Sequence, residues 1–208
     1  MKECCHLMLY GILGLLFIIF LFILINLSSS DSKNSSWPFE SEKERAGRKA
    51  EFVATNIISK ILRSDDFLFT NIEVCYEDKV AELDNVIINK YGVFIIEVKY
   101  YKGVLYGTEE DYEWEKYKDD GYGNTFAKKV KNPIKQVKRQ TYILAKYLEY
   151  YGARVWVDGY AFLLNGNSPV SSPYMLESIK DIDNAIHTPG RQRLNEKTIE
   201  SIKHLLDV

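Results

Sequence analysis

Three charged residues stand in largely apolar segments: Asp84 in ELDNVII, and Glu97 and Lys99 in GVFIIEVK. Side chains two apart on an extended strand point to the same face. Glu97 and Lys99 therefore project together, and Val98 faces the other way. Asp84 can approach them from a neighbouring strand if the turn between sets the register. Two carboxylates a few ångströms apart repel unless a cation sits between them, and hard oxygen donors suit Mg²⁺ or Mn²⁺. A metal so held lowers the pKa of a bound water and polarises a phosphodiester. The Lys99 ammonium could then position the nucleophile or neutralise the charge developing on the phosphate. A plainer reading stands beside this one: Glu97 and Lys99 as a surface ion pair on a half-exposed strand, with Asp84 a turn residue. The apolar surroundings weigh against it, because charges in strands covered on both faces are costly unless paired or ligating a metal.

Several elements must position these residues. Leu83–Ile88 and Val93–Tyr100 read as strands, and the short Asn89–Gly92 connection (NKYG) makes them an antiparallel hairpin. Phe67–Cys75 is a further strand ahead of them. A helix precedes it, opened by a capping box of Ser41 and Glu44. Its apolar stripe runs through Ala46, Ala50, Val53, Ile57 and Ile61 to about Leu62. Gly103–Gly107 and Tyr112–Tyr117 suggest a second hairpin, with the acidic stretch from Glu109 to Asp120 a solvated edge. Asn132 is a good N-cap and Pro133 suits the first helical turn. Ile134, Val137, Leu144, Leu148 and Tyr151 form the buried stripe of that helix, which ends before Gly152. Val155–Leu164 is a strand, residues 165–173 a loop, and Leu176–Ile186 and Glu196–Leu206 are helices. The order implies an α/β or α+β domain with a mixed sheet.

The chain has 208 residues and a formal net charge of -2, so any polyanion-binding role must come from a local patch. One such patch is Lys128, Lys129, Lys131, Lys135, Lys138 and Arg139, which have no acidic neighbour among them in sequence. They are candidate phosphate contacts, or else solvated lysines. The nearby Tyr117, Tyr122 and Phe126 could stack on bases or pack an edge. Cys75 is alone in the globular part, which therefore holds no disulfide of its own. Cys4 and Cys5 are candidates for acylation or are free thiols. His6, His187 and His204 are too scattered for a zinc site. Residues 7–25 carry no charge, and a membrane span at 7–27 is expected from their length. It comes after a short tip (1–6) and before a polar linker (28–40). The basic residues after the run favour a cytoplasmic side for the C-terminal domain.

In chain order, the segments Gly47-Arg48-Lys49-Ala50-Glu51, Glu82-Leu83-Asp84-Asn85-Val86-Ile87-Ile88 and Tyr91 through Lys99 form a pattern. It continues through Lys102-Gly103, Tyr106-Gly107, Trp114 and Asn132-Pro133-Ile134-Lys135-Gln136. This pattern resembles the PD-(D/E)XK nuclease superfamily, and within it the nuclease-related domain (NERD) family. The resemblance covers about residues 41–165. It implies a restriction-endonuclease-like core at 41–170, with 171–208 a C-terminal helical extension. It assigns Glu51 as the helix acid, Asp84 and Glu97 as the metal-binding pair that Glu51 joins, Lys99 as the motif lysine, and Gln136 as the glutamine facing the site. Two positions depart from the pattern: Asn85 stands where His is frequent, and Val98 where Thr is common. The resulting expectation is a membrane-anchored, Mg²⁺- or Mn²⁺-dependent nuclease acting on nucleic acid, DNA foremost. The alternative is a non-catalytic nucleic-acid-binding or protein-docking module on the membrane.

Overall fold

The continuous apolar runs become the middle of a five-stranded sheet. A computed structural model describes residues 42–119, 121 and 124–207. The apolar run at 7–27, the linker and Ser41 of the capping box lie outside these residues. No helix among the described residues is long and apolar enough to cross a membrane. In chain order the elements are α1 (Glu42–Ser59), β1 (Phe67–Tyr76), β2 (Lys79–Asn89), β3 (Gly92–Lys99), β4 (Val104–Tyr106), β5 (Glu113–Asp119) and β6 (Thr125–Lys131). They continue with α2 (Pro133–Tyr150), β7 (Val157–Leu163), β8 (Met175–Leu176), α3 (Ile179–His187) and α4 (Glu196–Leu206). The large sheet has the order β1-β2-β3-β7-β8, and β4-β5-β6 form a smaller one. The first three strands run antiparallel, while β7 joins β3 and β8 joins β7 in parallel. The fold is thus α+β with a mixed sheet.

Period-two alternation divides the central strands between two apolar layers. Val86, Ile88, Val93 and Ile95 pack with Val137, Ile143, Leu144 and Leu148 of α2 and with Ile199, Ile202 and Leu206 of α4. On the other face, Ile87, Phe94, Ile96 and Val98 meet Ala54 and Ile58 of α1 and Ile182 and Ile186 of α3. Residues 171–208 therefore supply core side chains to both faces. Helix α2 starts at Asn132, whose side chain accepts from the Ile134 N–H, and ends where Gly152 turns left-handed at φ 88°. It lies close over β7: a Cβ at Gly159 would stand 2.2 Å from the Thr141 hydroxyl.

Three expectations need correction, and one strand had no assignment. The buried face of α1 is Ala50, Ala54 and Ile58, whereas Ala46 and Val53 are exposed. The helix is rotated so that the small alanines approach the sheet. Tyr151 lies beyond the last turn of α2 and is 55% exposed; Ile143 fills the stripe instead. Met175 and Leu176 pair with β7 as an edge strand, and α3 begins only at Ile179, capped by the Ser178 hydroxyl. Finally, Thr125–Lys131 is a strand, although its lysines hide any apolar alternation.

Candidate active site

Hydrogen-bonded pairing of β2 with β3 runs from Asn89↔Gly92 to Asn85↔Ile96 and then stops. The same register sets Asp84 opposite Glu97, at the point where the strands part. Beyond it the Val98 N–H no longer meets β2 backbone and donates instead to Asp84 Oδ2 at 2.7 Å. On the other side of β2, pairing with β1 also lapses beside Asp84, where Asn71 adopts φ 53°. β3 itself stays paired to β7 through Lys99↔Leu163. The wedge thus opens within the sheet, and Asp84, Glu97 and Lys99 share its α2 face by alternation.

Glu97 is 1% exposed, so its charge requires partners. The Lys99 ammonium contacts its Oε1. Gln136 Nε2 donates to Oε1 at 2.5 Å, and Gln140 Nε2 donates to Oε2 at 2.5 Å. Gln136 and Gln140 are one helical turn apart on the face of α2 that meets the sheet. Gln140 also donates to the Glu82 carbonyl at 2.8 Å, bridging the parted strands with its amide. Its Oε1 is buried and has no partner. Sequence reasoning singled out Gln136 and missed this role of Gln140. The signal was the four-residue spacing after a well-capped helix start.

Burial, and after it the Glu97 charge, push the Asp84 carboxyl up to about 7, against the opposing pull of the Val98 N–H and Lys99. Burial pulls Lys99 down, but the Glu97 carboxylate, joined by Asp84 and Tyr101, holds the ammonium above its ordinary value. Glu51 belongs to α1, which packs on the opposite face of the sheet, and it reaches Asp84 as a further negative charge. One turn along α1, the Thr55 hydroxyl donates to Asn85 Oδ1 at 2.8 Å. Asn85 is wholly buried, and its amide donates on to the Ile96 carbonyl at 3.4 Å. The residue at the departure from the family pattern thus ties α1 to the strand that carries Asp84. Among the described residues, no three His, Cys, Asp or Glu side chains converge as a cation cage.

The basic stretch is divided by the fold. Lys135 pairs with Glu110 and Lys138 with Glu109, at 2.9 and 2.8 Å. These acids come from the loop before β5, which Asn132 holds by donating to the carbonyls of Thr108, Glu109 and Asp111. Arg139 donates to the Val80 carbonyl, and Lys129 lies 3.7 Å from Glu113 across the β5–β6 ladder. The sequence lacks acids within the stretch, yet the fold brings them in from outside. A cleft of about 490 Å³ opens beside Gln136 and Gln140, with Tyr112, Lys131, Lys135 and Arg139 on its walls.

Residues 46–164 match the nuclease-related domain model, which is more than half of the chain. The chain belongs to the nuclease-related domain family, within the PD-(D/E)XK superfamily. An uncharacterized protein of Bacillus anthracis, pXO1-01, is 29% identical over 69 residues, which are 33% of this chain and 32% of that protein. The chain therefore matches about a third of the length of that relative. No solved structure matches it.

Proposed function

We propose that this domain is a divalent-metal-dependent nuclease that hydrolyses phosphodiester bonds in nucleic acid, with DNA the first substrate to test. The observation that carries the reading is Asp84 facing Glu97 across the parted strands, with Lys99 on the same face. Burial and mutual repulsion of these two carboxylates favour a cation between them, as the raised Asp84 carboxyl reflects. The donor set is oxygen-rich, and the orphaned Gln140 Oε1 belongs to the amide that holds Glu97. These residues fit Mg²⁺ or Mn²⁺. Asp84 and Glu97 would hold the ion, with Glu51 adding negative charge from α1. Such an ion supplies Lewis-acid polarisation and an acidic bound water. Gln136 and Gln140 fix the two oxygens of Glu97, and the Lys99 ammonium beside it would neutralise phosphate charge developing there. The uncharged run at 7–27 supports a membrane tether, and the basic residues after it support a cytoplasmic side.

The test is plasmid and oligonucleotide cleavage by the full-length protein with EDTA, Mg²⁺ or Mn²⁺, beside Glu97→Gln and Asp84→Asn. Metal-dependent cleavage abolished in both variants is the expected result. Wild-type-like cleavage in both would sink the site assignment. One observation favours the non-catalytic alternative: Lys99 already neutralises Glu97, without a convergent third carboxylate among the described residues. A folded protein that binds nucleic acid but cuts neither DNA nor RNA with either metal would establish that reading.

A further inference from the structure

The β5–β6 ribbon sorts its charges by face. β5 reads EWEKYKD, so Glu113, Glu115 and Asp119 share one side with Tyr117, while Trp114, Lys116 and Lys118 share the other. The register extends this across the ladder: Lys116 stands opposite Lys128, Lys118 opposite Phe126, and Trp114 opposite Val130. Trp114 is wholly buried and Val130 packs beside it, so this side faces the domain at its base. Further out it carries Lys116, Lys118, Lys128 and an exposed Phe126, and the acids of β5 all lie on the reverse side. Lys129 and Lys131 fall on that acidic side, opposite Glu115 and Glu113. Lys116 and Lys128 stand directly opposite one another on the face that also leaves a phenyl ring in water.

This face leads to the candidate active site. Lys116 Nζ lies 5.8 Å from the centre of the Tyr101 ring. Tyr101 in turn stands close enough to Lys99 and Glu97 to feel both charges. Lysines two apart along β5 are spaced by about 6.8 Å.

We propose that this lysine face of the β5–β6 ribbon is a docking track for single-stranded nucleic acid, with backbone phosphates on Lys116, Lys118 and Lys128 and a base stacked on Phe126. It rests on the reading of the Glu97 site as acting on nucleic acid, and it gives that site a path for its substrate. Charge complementarity selects a polyanion, and a base offers the exposed ring a π-face. The ion-paired lysines of α2 play no part in the track.

The test is fluorescence anisotropy with a labelled single-stranded oligonucleotide and its duplex, in EDTA so that nothing is cut. Full-length wild type is compared with Lys116→Gln/Lys118→Gln/Lys128→Gln, with Phe126→Ala, and with Lys129→Gln from the reverse side. The triple variant should lose at least about tenfold in single-strand affinity. Its log-affinity against log-salt slope should fall by about 2, since each single-strand phosphate contact contributes roughly 0.7. Phe126→Ala should weaken binding about tenfold without changing the slope. The reverse-side variant should bind as wild type does. Thermal melting of the triple variant, run in parallel, establishes that it is folded. Wild-type affinity and slope in a folded triple variant would overturn the track, as would loss confined to the reverse-side variant or preference for the duplex. Cleavage assays separate this outcome from failure of the parent reading. Cutting that survives without the track leaves the nuclease standing, and ribbon-dependent binding without metal-dependent cutting removes the nuclease alone. A wild type that neither binds nor cuts removes both.

Discussion

Asp84→Asn should stabilise the domain, and by an amount that depends on pH. In the folded state the Asp84 carboxyl rises from its ordinary 3.8 to about 7, first through burial and then through Glu97. Between about pH 4 and pH 7 the folded chain therefore holds a proton that the unfolded chain has released. Stability from this group is fully present below about pH 4 and is lost as pH rises through about 7. At about 1.4 kcal/mol for each tenfold in proton affinity, the whole rise is worth about 4 kcal/mol. Part of the residue reaches water, so this is an upper bound, and between about 2 and 4 kcal/mol is expected. Asparagine keeps an oxygen for the Val98 N–H and never ionises. Urea unfolding in EDTA, from about pH 4 to pH 8, should show a variant advantage that grows with pH and levels off above about 7. Added Mg²⁺ or Mn²⁺ should narrow the gap by stabilising the wild type through binding. An advantage that stays flat across the range would refute the reasoning, because no burial or repulsion would then be stored at Asp84.

Further perturbations address the supports of the site. Gly159→Ala should cost about 1–3 kcal/mol, because its Cβ would stand 2.2 Å from Thr141 Oγ1 and 2.9 Å from Val137 Cγ2; adding Thr141→Ala should restore part of the loss in the melting temperature. Gln140→Leu should cost about 1.5–3 kcal/mol in chemical denaturation, since it withdraws a donor from the buried Glu97 carboxylate and leaves the Glu82 carbonyl without its side-chain partner. His187 lies between Asp66 and Asp183, at 2.8 and 2.6 Å, and the Asp66 side chain is 2% exposed. His187→Ala should cost about 1–3 kcal/mol, because the buried Asp66 carboxylate loses its side-chain partner and keeps only the Arg63 N–H, whereas Asp183→Ala, at the exposed partner, should cost less than about 1 kcal/mol.

Legibility tracked periodicity. Glu97 and Lys99 declared themselves as charges at an even spacing in an apolar strand, and the tight NKYG connection brought Asp84 opposite Glu97. The seam itself could not be read, because it depends on where pairing stops. Asp84 bonds the Val98 N–H only since β2 has already left. Gln140 was hidden for a related reason: a polar residue on the inner side of a helix looks like a flaw until the buried carboxylate opposite it is known. In α1, Ala46 and Val53 drew the apolar stripe away from the true contact face, which is Ala50, Ala54 and Ile58. The β6 segment failed through composition, since KKVK carries no alternation of polarity although its face pattern is regular.

The boundary of the family match bears on how the domain can be cut and recombined. The match ends at residue 164, yet Ile182, Ile186, Ile199, Ile202 and Leu206 lie in the two apolar layers. The shared family pattern therefore stops short of what is needed mechanically. The last helices resemble keystones more than an appendix: none of the candidate site residues comes from them, but they close the layers on which the seam rests. Exchanging that stretch between members of the family would be a transplant of core, and its success would turn on side-chain volume rather than on chemistry.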